Sequence, residues 1–172
     1  LIAINLSAVQ FNNPLLVTMI NTILHEHQLP ADNLELEITE SVAMINIDLT
    51  IKQLKSLADA GIRLSLDDFG TGYSSLNYLK KFPINKLKID QSFVFDMLTD
   101  EDDEAIVDAV ITLARSLGLK TLAEGVETPE HLRALNNKGC DFMQGYLFSK
   151  PVPAEPFLNL LNHPPFGNLG VD

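Results

Sequence analysis

Residues 67–76 read Asp-Asp-Phe-Gly-Thr-Gly-Tyr-Ser-Ser-Leu, directly after the apolar run Ile62-Arg63-Leu64-Ser65-Leu66. A buried strand is predicted to end in two adjacent carboxylates, Asp67 and Asp68, followed by a glycine-bearing loop. Adjacent like charges repel, and desolvating either is costly. A divalent cation held by oxygen ligands offsets both effects. Other apolar runs end the same way, in Asn5, Glu37 with Glu40, Lys88 with Asp90, Glu124 with Glu127, and Gln144. A lone acid after a strand is most often a helix cap or a solvated loop residue. Six polar tips in one chain point instead to metal chemistry, because hard divalent ions prefer carboxylate and amide oxygens.

The tips need a scaffold that brings them together. Short apolar runs at 1–6, 34–38, 62–66, 87–89, 120–123 and 141–147 alternate with segments of helical spacing. Asn13-Pro14 reads as an N-cap and first-turn proline opening a helix to about Gln28. Ile51, Leu54 and Ala58 share one helix face, with Gly61 placed to end it. A short helix is expected over 73–81. Ile106, Val110, Leu113 and Leu117 form a longer stripe ending near Gly118, and the acids at 100–104 suit the positive end of its dipole. Thr128-Pro129 opens another helix, ending near Gly139. A loose repeat of helix, glycine, strand and polar tip recurs at Gly61, Gly118 and Gly139. Such alternation implies a parallel sheet, and in a (β/α)8 barrel the active site sits at the carboxyl ends of the strands. The tail over 163–172 has loop composition.

Alternation in Lys86-Leu87-Lys88-Ile89-Asp90 places Lys86, Lys88 and Asp90 on one face. An inward lysine must be paired or functional. Lys88 therefore reads either as an ion-pair partner of Asp90 or a tip carboxylate, or as a cation stabilising a nucleophile or a phosphoryl oxygen. Asp68-Phe69-Gly70 matches the kinase metal triplet, but no His-Arg-Asp element precedes it. Gly70-Thr71-Gly72 lacks the third glycine of a dinucleotide fingerprint. His25 and His27 are two apart, which suits no zinc site on one helix face. They are expected at the surface, as are His131 and His163.

At 172 residues and 46% hydrophobic content, the chain can bury the core of one domain. Twelve basic against 23 acidic residues, a net charge of −11, argue against a DNA or RNA polymer or a membrane surface as partner. Bound cations can still reverse the local sign for a phosphorylated small ligand. The single cysteine, Cys140, permits no internal disulfide and suits a reducing compartment. No apolar run approaches the ~20 residues of a membrane span.

With these residues in place, the chain resembles the EAL domain family, bacterial phosphodiesterases that linearise cyclic di-GMP. The matching motifs are Asn5-Leu6-Ser7, Glu37-Ile38-Thr39-Glu40-Ser41, residues 67–76, Lys88-Ile89-Asp90, Ala123-Glu124-Gly125-Val126-Glu127-Thr128 and Gln144-Gly145-Tyr146-Leu147-Phe148-Ser149-Lys150-Pro151. They span the chain to about residue 160, in the family's order. The resemblance implies an α/β, TIM-like (β/α)8 barrel with one reversed strand, and two Mg2+ or Mn2+ ions serving water attack on one phosphodiester to give linear pGpG. It casts Asn5, Glu37, Asp67, Asp68 and Glu124 as metal ligands, Lys88 as holder of the nucleophilic water and Glu124 as general base. Asp90, Glu127 and Gln144 become supports of the site and its ligand. Glu40 would brace the loop of Phe69, Gly70, Thr71, Gly72, Tyr73, Ser74 and Ser75, which in this family couples dimerisation to the metals.

One departure matters. No Glu-Ala-Leu strand occurs, and Leu1 opens on what corresponds to the third strand. Residues 1–162 are therefore expected to be the carboxyl-terminal part of an EAL domain, with six of eight strands, short of the ~250 residues typical of the fold. An unclosed barrel exposes strand edges. The expectation is completion by another copy or by further chain, with impaired hydrolysis by this segment alone. The resemblance also implies cyclic di-GMP as ligand, self-association, a cytoplasmic setting and an upstream GGDEF or sensory domain. Two other readings compete: an inactive EAL module serving as a cyclic di-GMP receptor or protein-interaction domain, and a Mg2+-dependent barrel lyase with Lys88 as base.

Overall fold

The computed structural model describes residues 1–72 and 76–163. Its centre is a six-stranded sheet in sequence order: β1 Ile2–Asn5, β2 Leu34–Thr39, β3 Arg63–Phe69, β4 Lys86–Ile89, β5 Lys120–Ala123 and β6 Phe142–Met143. All five pairings are parallel, as the strand–helix alternation requires, so the family's reversed strand is not among these six. The sheet is curled. Lys86 of β4 reaches Glu35 of β2 on one side and lies over the Phe142 ring of β6 on the other. The six strands and their order agree with expectation.

The helices are α1 Ala8–Phe11, α2 Leu16–Glu26, α3 Glu40–Met44, α4 Ile47–Asp59, α5 Leu76–Leu79, α6 Gln91–Asp96, α7 Glu101–Ser116, α8 Pro129–Lys138 and α9 Ala154–Asn162 among the described residues. They cover the outer face, where Leu64, Leu66, Leu87, Ile89 and Ala123 meet Leu54, Leu57, Val107, Val110, Ile111 and Leu135 in one buried core. No helix among the described residues is long and apolar enough to cross a membrane.

Several boundaries differ from the sequence reading. Asn13 does not cap α2: its side chain accepts from the Leu15 amide, forming a turn, and the helix starts at Leu16. The fully buried stripe of α7 is Val107, Val110, Ile111 and Ala114, with Ile106, Leu113 and Leu117 on its flank. Of the helix expected over 73–81, residues 76–79 are helical, and Tyr73, Ser74 and Ser75 lie outside the described residues. His131 is buried, not at the surface, because it shares the inward face of α8 with Leu135, four residues on.

Two strand corrections bear on the site. The sixth run holds only two strand residues; beyond them the Gln144 amide still donates to the Ala123 carbonyl at 2.9 Å, and its own carbonyl accepts from the Val126 amide at 3.0 Å. β3 includes both carboxylates, as expected, and runs one residue further, to Phe69. Leu66 is in register with Leu87 and Phe69 with Ile89, three steps on β3 against two on β4, so β3 holds one extra residue there. Asp68 takes a left-handed φ of 54° within this bulge. Aspartate tolerates that conformation better than most residues.

Candidate active site at the carboxyl ends of the strands

Local capping carries the chain from each strand tip into the next helix. Ser7 and Gln10 form a reciprocal capping box after β1. Thr39 caps α3 after β2, Asp90 caps α6 after β4, and Thr128 caps α8 after the β5 loop. These turns leave the last inward side chains of the strands facing one another.

Lys88 is the centre of the arrangement and is only 3% exposed. Its Nζ lies 2.7 Å from Glu37 Oε2, 2.9 Å from Asp67 Oδ1 and 2.7 Å from Glu124 Oε1. One ammonium thus ties β2, β3 and the end of β5 to β4. Burial pulls this ammonium toward neutrality, but the hydrogen bonds to Glu124, Glu37 and Asp67 outweigh it and hold its pKa above the ordinary lysine value. Burial pushes the Glu124 carboxyl up, and contact with Lys88 does not reverse that, since Asp67 and Glu37 add to the push. Asp68 is raised by burial first, then by Asp67 and Asp90 beside it. Four carboxylates therefore gather around one cation.

The predicted residues do not all meet. Lys88, Glu37, Asp67 and Glu124 are in direct contact, with Asp68 alongside. Asn5 stands at the tip of β1 in register with Glu37, outside the Lys88 contacts. Asp90 leaves the lysine face: its Oδ1 accepts from the Ser92 amide at 2.8 Å, so the partners of Lys88 are the tip carboxylates and not Asp90. Glu127 and Gln144 form a neighbouring group, lining a cavity of about 220 Å³ with Glu124, Gln91 and Tyr146. Gly125, at φ 72°, lets this loop approach α6, because a Cβ there would lie 2.8 Å from Gln91 Cβ.

Glu40 stands behind the loop after β3. It is buried, its Oε2 accepts from the Gly70 amide at 3.2 Å, and its Oε1 has no hydrogen-bond partner among the described residues. A Cβ at Gly72 would lie 2.5 Å from that Oε1, so the contact depends on glycine. Thr71 donates to the Asp68 carbonyl at 2.8 Å. Phe69 is buried at the end of β3.

No three acidic, histidine or cysteine side chains among the described residues are spaced to share a metal ion. The reason is visible in the contacts, since Lys88 occupies the point on which Glu37, Asp67 and Glu124 converge. The donor set is nonetheless hard oxygen throughout. That chemistry fits a divalent cation such as Mg2+ or Mn2+.

Sequence reasoning missed the pair beneath this cluster. Lys86 Nζ lies 2.8 Å and 2.9 Å from the two carboxylate oxygens of Glu35, which is 1% exposed. The signal was present, because Glu35 shares its strand face with Glu37 just as Lys86 does with Lys88. Gln91, beside Gly125, was also overlooked.

Parallel strands curled around an acidic, lysine-centred cluster at their carboxyl ends define a protein of the β/α-barrel class. The chain belongs to the EAL domain family, whose model matches residues 1–151. It is 47% identical over 157 residues to the bifunctional diguanylate cyclase/cyclic di-GMP phosphodiesterase MucR of Pseudomonas aeruginosa, covering 91% of this chain and 23% of that protein. Among solved structures it is similar to the PaMucR phosphodiesterase, c-di-GMP complex, at a TM-score of 0.88 and 46% identity, covering 90% of this chain and 63% of that one. It is also similar to the manganese/cy-diGMP complex of Klebsiella pneumoniae BlrP1 at pH 6, at a TM-score of 0.79 and 37% identity, covering 87% and 38% of the two chains. The chain spans about a fifth of the length of the curated relatives it matches.

Proposed function

We propose that the protein is a metal-dependent phosphodiesterase that opens cyclic di-GMP to linear 5′-pGpG in bacterial second-messenger signalling. The observation that carries this reading is the convergence of Glu37, Asp67 and Glu124 on Lys88, with Asp68 alongside, in a chain of the EAL family. The cyclic di-GMP complexes of MucR and BlrP1 support the ligand, and the manganese in the latter supports a divalent cofactor.

In this reading Asn5, Glu37, Asp67, Asp68 and Glu124 hold two Mg2+ or Mn2+ ions. When bound, such ions neutralise phosphate charge and lower the pKa of a water. The chain's own residues do the rest. Lys88 fixes the three carboxylates at one point and presents an ammonium to the nucleophile or the phosphoryl oxygen. Glu124, whose pKa is raised by burial, accepts the proton of the attacking water. Glu127 and Gln144 hold the ligand in the adjoining cavity, and Asp90 supports the turn into α6. Glu40 braces the loop after β3 at Gly70 and Gly72, and self-association is felt at the site through that loop. The protein works on the cytoplasmic side, joined to a GGDEF or sensory domain.

The test is cyclic di-GMP hydrolysis by the whole protein with Mn2+ or Mg2+. Release of pGpG that a chelator and Glu124→Gln both abolish is the expected result. Binding without turnover would make the protein a receptor instead.

A further inference from the structure

Two ion pairs stack on the concave face of the sheet. Glu37–Lys88 lies at the site, and Glu35–Lys86 lies one inward step below it. Both join β2 to β4, strands that do not hydrogen-bond to each other, because β3 runs between them. Between the two levels, on β3, is Ser65, in register with both Glu37 and Lys86. It is fully buried, and its hydroxyl has no hydrogen-bond partner among the described residues, so it links neither pair.

β3 is a poor ruler at this level. Its ladder with β4 is regular at Ser65–Lys86 and Leu66–Leu87 and slips by one residue before Phe69–Ile89. The height of Lys88 relative to Asp67 is therefore not set by continuous pairing. The Glu35–Lys86 pair sits on the regular side of that slip, immediately under the catalytic level. Lys86 binds both oxygens of Glu35, and its ammonium lies 5.2 Å from the centroid of the Phe142 ring on β6. It thus fixes β4 against both flanks of the curl. Stability alone does not account for the pair, since well-packed apolar residues commonly replace a buried ion pair at no cost.

We infer that Glu35 and Lys86 are positioning residues, which hold Lys88 at the height where it meets Glu37, Asp67 and Glu124 together. The inference rests on the phosphodiesterase reading only for its kinetic consequence. Its geometric consequence stands apart from any activity.

The test is the double variant Glu35→Leu/Lys86→Met in the full chain, with two readouts. A crystal structure reads the three Lys88 contacts, and steady-state kinetics with cyclic di-GMP separate kcat from KM. The expected result is a folded protein in which at least one Lys88 contact is lost and kcat falls about 10- to 100-fold, as for a reacting group displaced by about 1 Å, with KM little changed. Unchanged Lys88 contacts would overturn the inference. An inactive wild-type protein would sink the phosphodiesterase reading, while the crystal structure still decides the positioning. Should the double variant fail to fold, Glu35→Gln keeps the shape and weakens the pair, and unchanged Lys88 contacts there are equally fatal. Lys86→Arg, which keeps the charge, should restore most of kcat, an effect that simple core packing does not predict.

Discussion

Each end of the sheet carries a lysine–carboxylate contact, and the two are balanced differently. At the amino end Lys120 meets Asp141 at 2.6 Å, and Asp141 also accepts from the Thr121 amide at 2.9 Å and its hydroxyl at 3.1 Å. Burial raises the Asp141 carboxyl, but Lys120 and Thr121 outweigh it and hold the group below the usual carboxylate range. One anion there has one cation and two dipoles. At the carboxyl end one ammonium serves three carboxylates, with Asp68 beside them and both Asp68 and Glu124 held above their ordinary values. The amino end is satisfied by its own chain. The carboxyl end keeps a surplus of negative charge that folding leaves unmatched, as expected where a fold gives up stability for a ligand.

The sharpest way to break this contrast is Glu124→Gln. With Glu124 as the proposed general base, its removal should lower hydrolysis by about 10²–10⁴-fold while cyclic di-GMP binding survives, as read by pGpG release and calorimetry. Unchanged turnover would place the base elsewhere. Lys88→Met should follow, with a loss of about 10²–10³-fold, the scale for one electrostatic donor. It should also lose about 3–5 kcal/mol of stability in denaturant titrations, since it leaves buried carboxylates unpaired. Partial recovery on adding Mn2+ is expected if the surplus charge is a cation site.

Gly72→Ala should be milder, at about 1–3 kcal/mol for crowding the Glu40 carboxylate, with turnover reduced alongside stability. The smallest effect belongs to the satisfied end. Asp141→Asn should cost less than about 1 kcal/mol, given the exposure of that pair, and leave hydrolysis unchanged. The folded pKa of Asp141 is lowered, so its contribution is present above the unfolded carboxylate value and fades as pH falls through the folded one. The gap in melting temperature between wild type and Asp141→Asn should therefore close in acid. A gap that persists at low pH would show that charge was not its source.

Much of this was legible in the sequence because strands and helices announce themselves by period. The six runs became six strands, and four of the tip residues, Glu37, Asp67, Lys88 and Glu124, came into contact. Which tips touch Lys88 was not legible, because that depends on registers between strands far apart in the chain. The bulge did leave a trace, since Leu66 and Phe69 are three residues apart where strict alternation of buried positions requires two. The short β6 left none, because its length depends on pairing with β5, some 20 residues back in the chain. His131 was misplaced by treating an imidazole as polar without asking which helix face it shared with Leu135.

The extra residue in β3 has a consequence for anyone who would redesign this scaffold. Alternation along a strand is a parity code. Before the bulge Leu64 and Leu66 face the helices; after it Phe69 does, so even positions give way to odd. A strand grafted from an unbulged barrel would carry the wrong parity past residue 66 and turn either Phe69 or Asp67 the wrong way. Residues 66–69 therefore behave as a single cassette that can be exchanged only whole, and a one-residue deletion there would act as a frameshift written in three dimensions.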